Sequence, residues 1–526
     1  MKTKFYKLFI CLAASFLFAC NSNKQESKNE KKEIWWKEAV VYQIYPRSFK
    51  DSDGDGVGDI KGITTKLDYV KNLGIDVVWL NPIFSSPNAD NGYDISNYDS
   101  IMKEFGTMKD FDELLAEMHK RKIKLILDLV VNHCSDEHEW FKQARSSRTN
   151  PYRNYFHWWP AEKGKPPFRP GNFEVDGSGW RYDSLTNSYY LHYFSYKQPD
   201  LNWENPKLRQ EIYAMMNRWL KKGIDGFRMD VIPFISKDTS FPVITQADLD
   251  KNYQGRWDIY QASGPNLHTY LQEMNKEVLS KYDCMSLAEG AGMTTATALN
   301  FVDPDRKELN MGYHFEGTNL GYVPGYFKKM GAYSLVDFKK VYSDWDKVYE
   351  NKGWGTIYLG NHDQPRMVSR WGNDAPEFRE LSSKMLTTFL LSMRSTPYYY
   401  FGDELGMTNI KFDKIEDYKD IETIAEYEKV KNAKGDLKQF IEDQKVGGAR
   451  DNGRTSMQWN TMINGGFTTS QPWIKVNDNK AAINVESAEK DPNSTLSYFK
   501  KMVSLRKEHK DVLTSQWKKI LDNVKL

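Results

Sequence analysis

The stretch GIDGFRMDVI (residues 223–232) reads as a short buried strand that ends with two charged side chains, Arg228 and Asp230. A charge inside a protein core is costly unless it is paired or used. The two residues therefore form a structural ion pair or line a functional site. The segments on either side of the stretch help to decide between these two readings.

The stretch belongs to a series of alternating strand-like and helical patterns. Apolar runs such as VVYQIY, IDVVWL and IKLILDLVV alternate with amphipathic segments such as MKDFDELLAEMHKRK, and eight strand-like runs can be counted. This alternation predicts an α/β protein with a parallel sheet, and eight repeats favour a closed (β/α)8 TIM barrel over an open doubly wound sheet. No glycine-rich dinucleotide fingerprint opens a helix, which also argues against the open sheet.

The predicted barrel comprises residues 34–133 and 205–515. Residues 134–204, after the third predicted strand, are rich in aromatic residues, proline and glycine. This break in the repeat predicts an inserted subdomain in a loop between a strand and a helix, where barrel enzymes build their active sites.

Polar side chains stand at the C-terminal ends of four predicted strands. They are Asp128, Asn132 and His133 after the third strand, Arg228 and Asp230 after the fourth, Glu289 after the fifth, and His362 and Asp363 after the seventh. A single acid at a strand end could equally cap the next helix, but four strands ending this way argue for one pocket. Several carboxylates, an arginine and nearby aromatic rings suit glycoside hydrolysis by a nucleophilic carboxylate and a carboxylic acid with a raised pKa.

The composition narrows the classes of partner. The 526 residues are 40% hydrophobic and 14% aromatic, which is enough for a large core. Acidic and basic residues nearly balance, with a formal net charge of +2, so nucleic acid is not an expected partner. Cys134 and Cys284 are far apart, so no disulfide framework is required. The oligomeric state stays open.

The N-terminus reads as an export signal. Lysines precede the apolar run LFICLAASFLF, which is too short to span a bilayer as a mature helix. The run ends in LFAC, which resembles a bacterial lipobox. Removal of residues 1–19 would expose Cys20 for lipidation, and the polar residues 20–33 would form a flexible tether. We therefore expect an exported, membrane-anchored lipoprotein at the periplasmic or cell surface, and the alternative is a secreted protein cleaved near Ala19.

Four segments, DLVVNH, GFRMD, the glutamate of LAEG, and LGNHD, resemble in order and spacing the signature segments of glycoside hydrolase family 13, the α-amylase superfamily. QPDLN (residues 198–202) resembles the segment typical of its oligo-1,6-glucosidase and α-glucosidase group, as do NPIFSSPNADNGYDI, GDELGMTN and ARDNGRTSMQW. The resemblance covers residues 34–510. It implies a TIM-barrel hydrolase that acts on an oligosaccharide and uses no organic cofactor.

The resemblance implies a role for each catalytic carboxylate. Asp230 is similar to the nucleophile that forms a glucosyl-enzyme, and Glu289 is similar to the general acid and base. Asp363 resembles the third carboxylate, which binds the sugar hydroxyls more tightly as the ring flattens. Arg228 would hold Asp230 ionised and oriented. The two residues would then be an ion pair and also part of a functional site.

The resemblance also implies a pocket for the terminal glucose. Tyr93 would stack on the sugar, and His133 and His362 would bond its hydroxyls. Asp90 and Arg450 resemble a pair that closes the non-reducing end and makes such enzymes exo-acting. The predicted substrate-binding residues are Asp90, Tyr93, Asp128, His133, Phe173, Phe194, Gln198, Arg228, Val231, His362, Arg450 and Arg454.

Val231, directly after the predicted nucleophile, bears on the linkage that is cleaved. Valine there is typical of group members that cleave α-1,6 bonds, and alanine or threonine is typical of α-1,4 maltases. We therefore expect α-1,6 cleavage at the ends of isomalto-oligosaccharides. The alternatives are a maltase, a trehalose-phosphate hydrolase, a sucrose or trehalose isomerase and, in another class, a non-catalytic glycan-binding or scaffold protein.

The acidic loop DSDGDGVGD (residues 51–59) suits a small hard cation. It is not an EF-hand, because a strand precedes it and its twelfth position is Gly62 rather than glutamate. The resemblance implies a structural Ca²⁺ loop, and the alternative is a solvated acidic turn. The predicted ligands are the side chains of Asp51, Asp53, Asp55 and Asp59 and the carbonyl oxygen of Val57.

Departures from the family pattern affect two expectations. Gly290 follows the predicted acid where a bulkier residue is usual, and it would widen the pocket on the leaving-group side. The last predicted barrel helix, TLSYFKKMVSLRKEHKDVL, is followed only by a tail at residues 516–526. We therefore expect the usual C-terminal antiparallel β-domain to be absent or truncated.

Overall fold

The computed structural model describes residues 34–251, 260–324 and 326–514. The predicted signal segment, Cys20 and the tail at residues 516–526 lie outside the described residues. The chain divides into the units Met1–Trp35 and Trp36–Leu526, and the fold given below is that of the second unit.

The described strands fall into one large sheet and two small ones. They are β1 (Val41–Ile44), β2 (Val77–Leu80), β3 (Phe84–Ser85), β4 (Asn97–Ile101), β5 (Lys124–Leu129), β6 (Trp158–Pro160), β7 (Trp180–Asp183), β8 (Ser188–Leu191), β9 (Gly226–Met229), β10 (Met285–Glu289), β11 (Met311–Tyr313), β12 (Thr356–Ile357) and β13 (Thr396–Tyr400).

The large sheet has eight strands in the spatial order β11-β10-β9-β5-β2-β1-β13-β12. The strand pairs within it are parallel. A parallel bridge between Gly312 in β11 and Gly355 next to β12 joins the two edges. The sheet is therefore a nearly closed eight-stranded barrel, and the fold class predicted from the alternating patterns is confirmed.

The barrel strands are buried along their length. Every residue of β1, β2, β9, β10 and β13 is buried. A strand that faces the barrel interior on one side and helices on the other is apolar on both faces. Charged residues at the ends of such strands are therefore exceptions that need a reason.

The described helices are α1 (Trp35–Glu38), α2 (Pro46–Phe49), α3 (Ile60–Thr65), α4 (Leu67–Asn72), α5 (Met108–Lys120), α6 (Glu139–Ala144), α7 (Pro206–Lys222), α8 (Gln246–Lys251), α9 (Leu267–Glu277), α10 (Ala298–Val302), α11 (Leu335–Val348), α12 (Met367–Trp371), α13 (Arg379–Ser392), α14 (Ile421–Asn432), α15 (Leu437–Val446), α16 (Asp451–Arg454), α17 (Val485–Lys490), α18 (Thr495–Glu508) and α19 (Lys510–Thr514). In the part of the chain that the structure describes, no helix has both the length and the apolar character needed to cross a membrane.

Helix α7 illustrates how a helix sets the position of the site. It begins after the cap Asn205, with Pro206 in its first turn, and it ends at Gly223, which has a φ of 115°. Strand β9 starts only three residues later, at Gly226. The end of α7 therefore fixes where Arg228 emerges at the carboxyl end of the barrel.

Residues 134–204 contain a three-stranded antiparallel sheet, in the order β6-β8-β7, and the short helix α6. The chain returns to the barrel along the end of β5. The N–H of Leu201 donates to the carbonyl of Asn132 at 2.8 Å, and the N–H of Cys134 donates to the carbonyl of Pro199 at 3.3 Å. These bonds hold the insertion against the carboxyl ends of the barrel strands.

Candidate active site

Arg228 lies at the centre of the site. Its guanidinium is fully buried, and carboxylates from three neighbouring strand ends contact it. Nη1 lies 2.7 Å from Asp128 Oδ1 and 2.7 Å from Asp230 Oδ1. Nη2 lies 2.6 Å from Glu289 Oε1. Arg228 and Asp230 are therefore an ion pair and also part of a larger cluster at the ends of β5, β9 and β10.

This cluster has more acids than bases. Three carboxylates around one guanidinium carry a net charge of −2 if all are ionised, which is unfavourable in a buried site. Burial, reinforced by Glu289, raises the pKa of Asp128 to about 6 although Arg228 opposes this. Burial also raises the pKa of Asp230 above its ordinary value. Burial and the mutual repulsion of the acids therefore favour the protonated forms of Asp128 and Asp230, against the opposing effect of Arg228.

Glu289 is held at both of its oxygens. Oε1 accepts the hydroxyl of Tyr313 at 2.9 Å, and Oε2 accepts the N–H of Val231 at 2.8 Å. Val231 has a left-handed backbone (φ 33°, ψ 42°), which is strained for a β-branched residue. The strained residue directly follows Asp230, and its N–H points at Glu289.

Gly290, directly after Glu289, has a packing reason. A Cβ at this position would lie 2.7 Å from the carbonyl oxygen of Tyr313 and 2.8 Å from Met293 Cε. The missing side chain lets the end of β10 approach β11 closely. Close packing therefore requires a glycine here. From the sequence we expected only that Gly290 would widen the pocket.

His362 and Tyr93 form a second network beside the carboxylates. Their rings stack with centroids 5.4 Å apart, and the Tyr93 hydroxyl lies 2.6 Å from His362 Nε2. Gln43 donates to His362 Nδ1 at 2.9 Å, which leaves the ring proton on Nε2. Tyr93 accepts from Asn81 at 2.8 Å and donates to Asp128 Oδ2 at 3.0 Å. Burial lowers the pKa of His362 well below its ordinary value, so the ring is a neutral N–H donor.

Asp363 follows β12 and lies among two guanidinium groups and the ring nitrogen of His362. Its Oδ1 is 3.0 Å from Arg454 Nη2 and 3.6 Å from Arg450 Nη1, and its Oδ2 is 3.1 Å from His362 Nε2. Burial works against ionisation, but His362, Arg450 and Arg454 together hold the pKa of Asp363 well below its ordinary range. The side chain is 29% exposed, so Asp363 is an ionised acceptor that a ligand can reach.

Arg450 forms one wall of the pocket. Its guanidinium lies 3.2 Å from Asp90 Oδ1 and 2.6 Å from Asp420 Oδ1. Gln198 donates to the other oxygen of Asp90 at 3.2 Å and lies 3.2 Å from His133 Nε2. Burial raises the pKa of Asp90 to about 6, although Arg450 opposes this. Segments after β2 and β13 and from the insertion thus meet at one wall.

The insertion adds two phenylalanines to this wall. The guanidinium carbon of Arg450 lies 4.9 Å from the ring centroid of Phe173. Phe194 lies 5.6 Å from Phe173 and 5.0 Å from His133 between ring centroids. Apolar ring faces therefore stand next to the charged groups, a combination that suits a sugar ring with its apolar C–H face and polar edge.

The structure brings the predicted catalytic and substrate-binding residues into one network, and their chemical roles stay predictions. They are Asp90, Tyr93, Asp128, His133, Phe173, Phe194, Gln198, Arg228, Asp230, Val231, Glu289, His362, Asp363, Arg450 and Arg454.

Sequence reasoning also missed residues that contact this network. Tyr313 ends β11, and an aromatic hydroxyl at a barrel strand end was a usable signal. Gln43 in β1 and Asn81 after β2 were also polar residues at strand ends. Asp420 lies in the long segment after β13, and no motif there indicated that it contacts Arg450.

The predicted metal loop brings together three carboxylates. Oxygens of Asp51, Asp53 and Asp59 lie within 4.8 Å of one another. Asp51 and Asp59 are buried, whereas Asp53 is exposed. Asp55 is outside this group, and its Oδ1 accepts the N–H of Val57 at 2.8 Å. Three converging carboxylates are the donor set that a hard divalent cation prefers.

Comparison with known proteins places the chain in a family. Residues 43–516 match the family model Alpha-amylase, described as alpha amylase, catalytic domain. The chain is 53% identical over 492 residues to an oligo-1,6-glucosidase of Parageobacillus thermoglucosidasius, covering 93% of this chain and 86% of that relative. It is 46% identical over 484 residues to a trehalose-6-phosphate hydrolase of Bacillus subtilis strain 168, covering 91% of this chain and 84% of that relative.

The chain is also similar to the solved structure of a related enzyme. The trehalulose synthase MutB from Pseudomonas mesoacidophila MX-45 is similar with a TM-score of 0.87 and 45% sequence identity, covering 91% of this chain and 85% of that one. Three findings agree: the barrel fold, the carboxylates around Arg228, and the match over most of the chain. The protein belongs to the α-amylase family of glycoside hydrolases, family 13.

Proposed function

We propose that the protein is a retaining, exo-acting α-glucosidase that hydrolyses α-1,6-glucosidic bonds at the non-reducing ends of isomalto-oligosaccharides. The observation that carries this proposal is the contact of Asp230 and Glu289 with the two terminal nitrogens of one guanidinium. This arrangement is in keeping with the short carboxylate separation of retaining glycosidases, about 5–5.5 Å, rather than the about 6.5–9.5 Å of inverting ones.

The proposed reaction has two steps. First, Asp230 attacks the anomeric carbon while Glu289 protonates the departing glycosidic oxygen, which gives a β-glucosyl-enzyme and a free leaving group. Next, Glu289 takes a proton from water, and the water oxygen displaces Asp230 so that α-glucose leaves. Arg228 favours the ionised nucleophile in both steps. Asp363, which its arginine neighbours keep ionised, binds sugar hydroxyls more tightly as the ring flattens.

The wall around Arg450 supports cleavage at a chain end. Arg450 and Gln198 each contact Asp90 at 3.2 Å, so loops from distant parts of the chain are joined there. A pocket closed at this wall accepts one terminal sugar unit and excludes a chain that continues past it.

Two observations support the α-1,6 preference. Val231 follows the proposed nucleophile and is only half-buried, so its β-branched side chain is not sequestered in the core. The 53% identical relative is an oligo-1,6-glucosidase. Because a 46% identical relative is a trehalose-6-phosphate hydrolase, a phosphorylated disaccharide is the second candidate substrate.

The test is glucose release from isomaltose, maltose, trehalose, trehalose 6-phosphate and sucrose, with Asp230→Asn as the control. We expect isomaltose to be the best substrate, α-glucose to be the first anomer seen by NMR, and the control variant to release none. Maltose or trehalose 6-phosphate as the best substrate would reject the linkage preference and keep the mechanism. No turnover by a folded protein would favour a non-catalytic glycan-binding or scaffold role.

We also propose that Asp51, Asp53 and Asp59 hold a structural Ca²⁺, with Asp55 and the carbonyl of Val57 completing the set as the family resemblance implies. The support is the convergence of two buried carboxylates and a third exposed one, because a divalent cation compensates charge that burial would otherwise penalise. Thermal unfolding in EDTA and after addition of CaCl₂ tests this. Ca²⁺ should raise Tm, and the exposed-site variant Asp53→Asn should respond less. An unchanged Tm would contradict the proposal.

We further propose that Cys20 is lipidated and tethers an exported enzyme to a membrane surface. The support is the apolar run that ends in LFAC and the polar tract after it. Expression of the full chain in a bacterium with labelled palmitate tests this. Label should enter the wild-type protein and not Cys20→Ser. An unlabelled protein that is cleaved near Ala19 but does not begin at Cys20 would contradict lipidation and favour simple secretion.

A further inference from the structure

The hydroxyl of Tyr313 lies between the guanidinium of Arg228 and the carboxyl group of Glu289. Its side chain is 3% exposed at the end of β11. Its hydroxyl accepts from Arg228 Nε at 3.1 Å and from Arg228 Nη2 at 2.7 Å, and it donates to Glu289 Oε1 at 2.9 Å. The hydroxyl thus bridges the arginine that holds the nucleophile and the carboxyl group of the general acid.

The valence of the phenol oxygen fixes the direction of its proton. A tyrosine hydroxyl has two acceptor lone pairs and one proton, and a guanidinium can only donate. Both contacts with Arg228 therefore use the lone pairs of Tyr313. The one remaining hydrogen bond must run from Tyr313 to Glu289. Burial raises the pKa of Tyr313 well above its ordinary value, so the phenol stays protonated.

The two oxygens of Glu289 consequently differ. Oε1 receives the Tyr313 hydroxyl at 2.9 Å and lies 2.6 Å from Arg228 Nη2. Oε2 receives only the Val231 N–H, at 2.8 Å, among the described contacts. Tyr313 and Arg228 both donate to Oε1, so a proton on Oε1 would point at donors and find no acceptor. Oε2 accepts only one hydrogen bond and keeps a lone pair that can carry the proton.

We propose that Tyr313 is a positioning residue for the general acid: by anchoring Oε1, it confines the transferable proton to Oε2 of Glu289. This inference rests on the proposed function. In the first step Oε2 gives its proton to the departing oxygen, and in the second step the same Oε2 takes a proton from water. Tyr313 keeps its own proton throughout and stabilises the ionised Glu289 that exists between the steps.

The test compares Tyr313→Phe with the matched control Tyr358→Phe on two substrates. Tyr358 is also buried, with its ring 4.9 Å from that of Tyr313, but its hydroxyl donates to the carbonyl of His314 at 2.9 Å rather than to a carboxylate. Isomaltose needs protonation of its leaving group, whereas 4-nitrophenyl α-glucoside releases a stable phenolate and needs little.

For Y313F we expect kcat/KM to fall about 10- to 100-fold for isomaltose and less than about threefold for the nitrophenyl glucoside. The alkaline limb of the isomaltose pH profile, which reports loss of the acid's proton, should move to higher pH because the ionised carboxylate loses a donor. Y358F should leave both the substrate ratio and the limb as in the wild type.

Equal losses on both substrates with an unmoved alkaline limb would overturn the role of Tyr313 while leaving the proposed function intact. A folded wild-type protein that cleaves neither substrate would reject the proposed function and this inference with it. Should Y313F not fold, 3-fluorotyrosine at position 313 keeps the ring and supplies a stronger donor. The alkaline limb should then move to lower pH, and an unmoved limb would overturn the inference.

Discussion

Arg228 and Arg450 are both buried arginines that bind carboxylates, but their surroundings have a different charge balance. The Arg228 centre consists of Arg228, Asp128, Asp230 and Glu289, with one cation for three acids. The Arg450 centre consists of Arg450, Asp90, Asp363, Asp420 and Glu422, and Arg454 and Lys328 add two further cations. Burial, with Glu289 and Asp128 adding to it, raises the pKa of Asp230. His362, Arg450 and Arg454 lower the pKa of Asp363 against the effect of burial.

This difference separates two tasks within one pocket. Glycoside cleavage needs a nucleophilic carboxylate and an acid side by side, and the Arg228 centre holds Asp230 and Glu289 on one guanidinium. Binding of sugar hydroxyls needs acceptors that stay ionised. In the Arg450 centre, Arg450 and Arg454 help to lower the pKa of Asp363 and Asp420 against the effect of burial, whereas burial raises the pKa of Asp90 to about 6. The Arg228 centre is built from strand ends, and the Arg450 centre is built from the loops between them.

The largest effect should come from replacing each arginine by lysine, which keeps the charge but loses the planar fork that contacts several acids. For R228K we expect kcat/KM on isomaltose to fall on the order of 10³-fold, mainly through kcat. For R450K we expect a fall of about 10- to 100-fold, mainly through KM. Similar losses in the same kinetic parameter would remove the distinction between the two centres.

The pH dependence offers the next largest effect. Burial, with Glu289 and Asp128 adding to it, raises the pKa of Asp230. Asp230 therefore gains its proton above the ordinary value of about 3.9 as pH falls, and kcat/KM is lost there because a protonated carboxyl is not a nucleophile. Asp128→Asn removes one negative neighbour, so the acid limb should move to lower pH. A limb that stays in place would show that this repulsion does not set the nucleophile's protonation.

The two centres also differ in how far sequence could predict them. Strand ends in a barrel converge by geometry, so Asp230 and Glu289 could be placed together from pattern alone. Asp420 could not, because its contact with Arg450 depends on the path of a long loop that no periodicity describes. Tyr313 lay at a strand end but belongs to no signature segment. Its role follows only from which atoms its hydroxyl contacts.

Replacing Asp420 by asparagine should have a moderate effect on stability as well as on substrate binding. Burial opposes its ionisation, but Arg450 and Arg454 hold the pKa of Asp420 below its ordinary range. A depressed carboxyl pKa stabilises the fold above about pH 3.9, and that stabilisation is lost as pH falls toward the folded-state value. D420N should therefore lower the free energy of unfolding at neutral pH by about 1.5–3 kcal/mol.

The measurement is urea unfolding of wild type and D420N from neutral to acidic pH, with KM for isomaltose alongside. The gap in unfolding free energy should narrow as pH falls, and KM should rise several-fold as Arg450 loses its anchor. Asp417→Asn, at an exposed position nearby, is the matched control. A gap of equal size at every pH would contradict the assigned charge on Asp420.

The smallest effect should come from Val231→Thr, which changes one methyl group to a hydroxyl at nearly constant volume. We expect the ratio of kcat/KM for isomaltose to that for maltose to fall about 3- to 10-fold, in line with the modest discrimination that one small group supplies. The catalytic centre should otherwise be intact, with release from 4-nitrophenyl α-glucoside close to the wild-type rate. An unchanged ratio would mean that Val231 does not set the linkage.

Trapping the glucosyl-enzyme would show which carboxylate is the nucleophile. A 5-fluoro-α-glucosyl fluoride forms the intermediate but slows its hydrolysis, so the label stays on the nucleophile. Trypsin cleaves after Arg228 and Lys237, and the peptide MDVIPFISK between those cuts contains Asp230 as its only carboxylate side chain. We expect mass spectrometry to find the label in this peptide and Asp230→Asn to abolish it. Label on a peptide that carries Glu289 or Asp363 instead would contradict the division between the Arg228 and Arg450 centres.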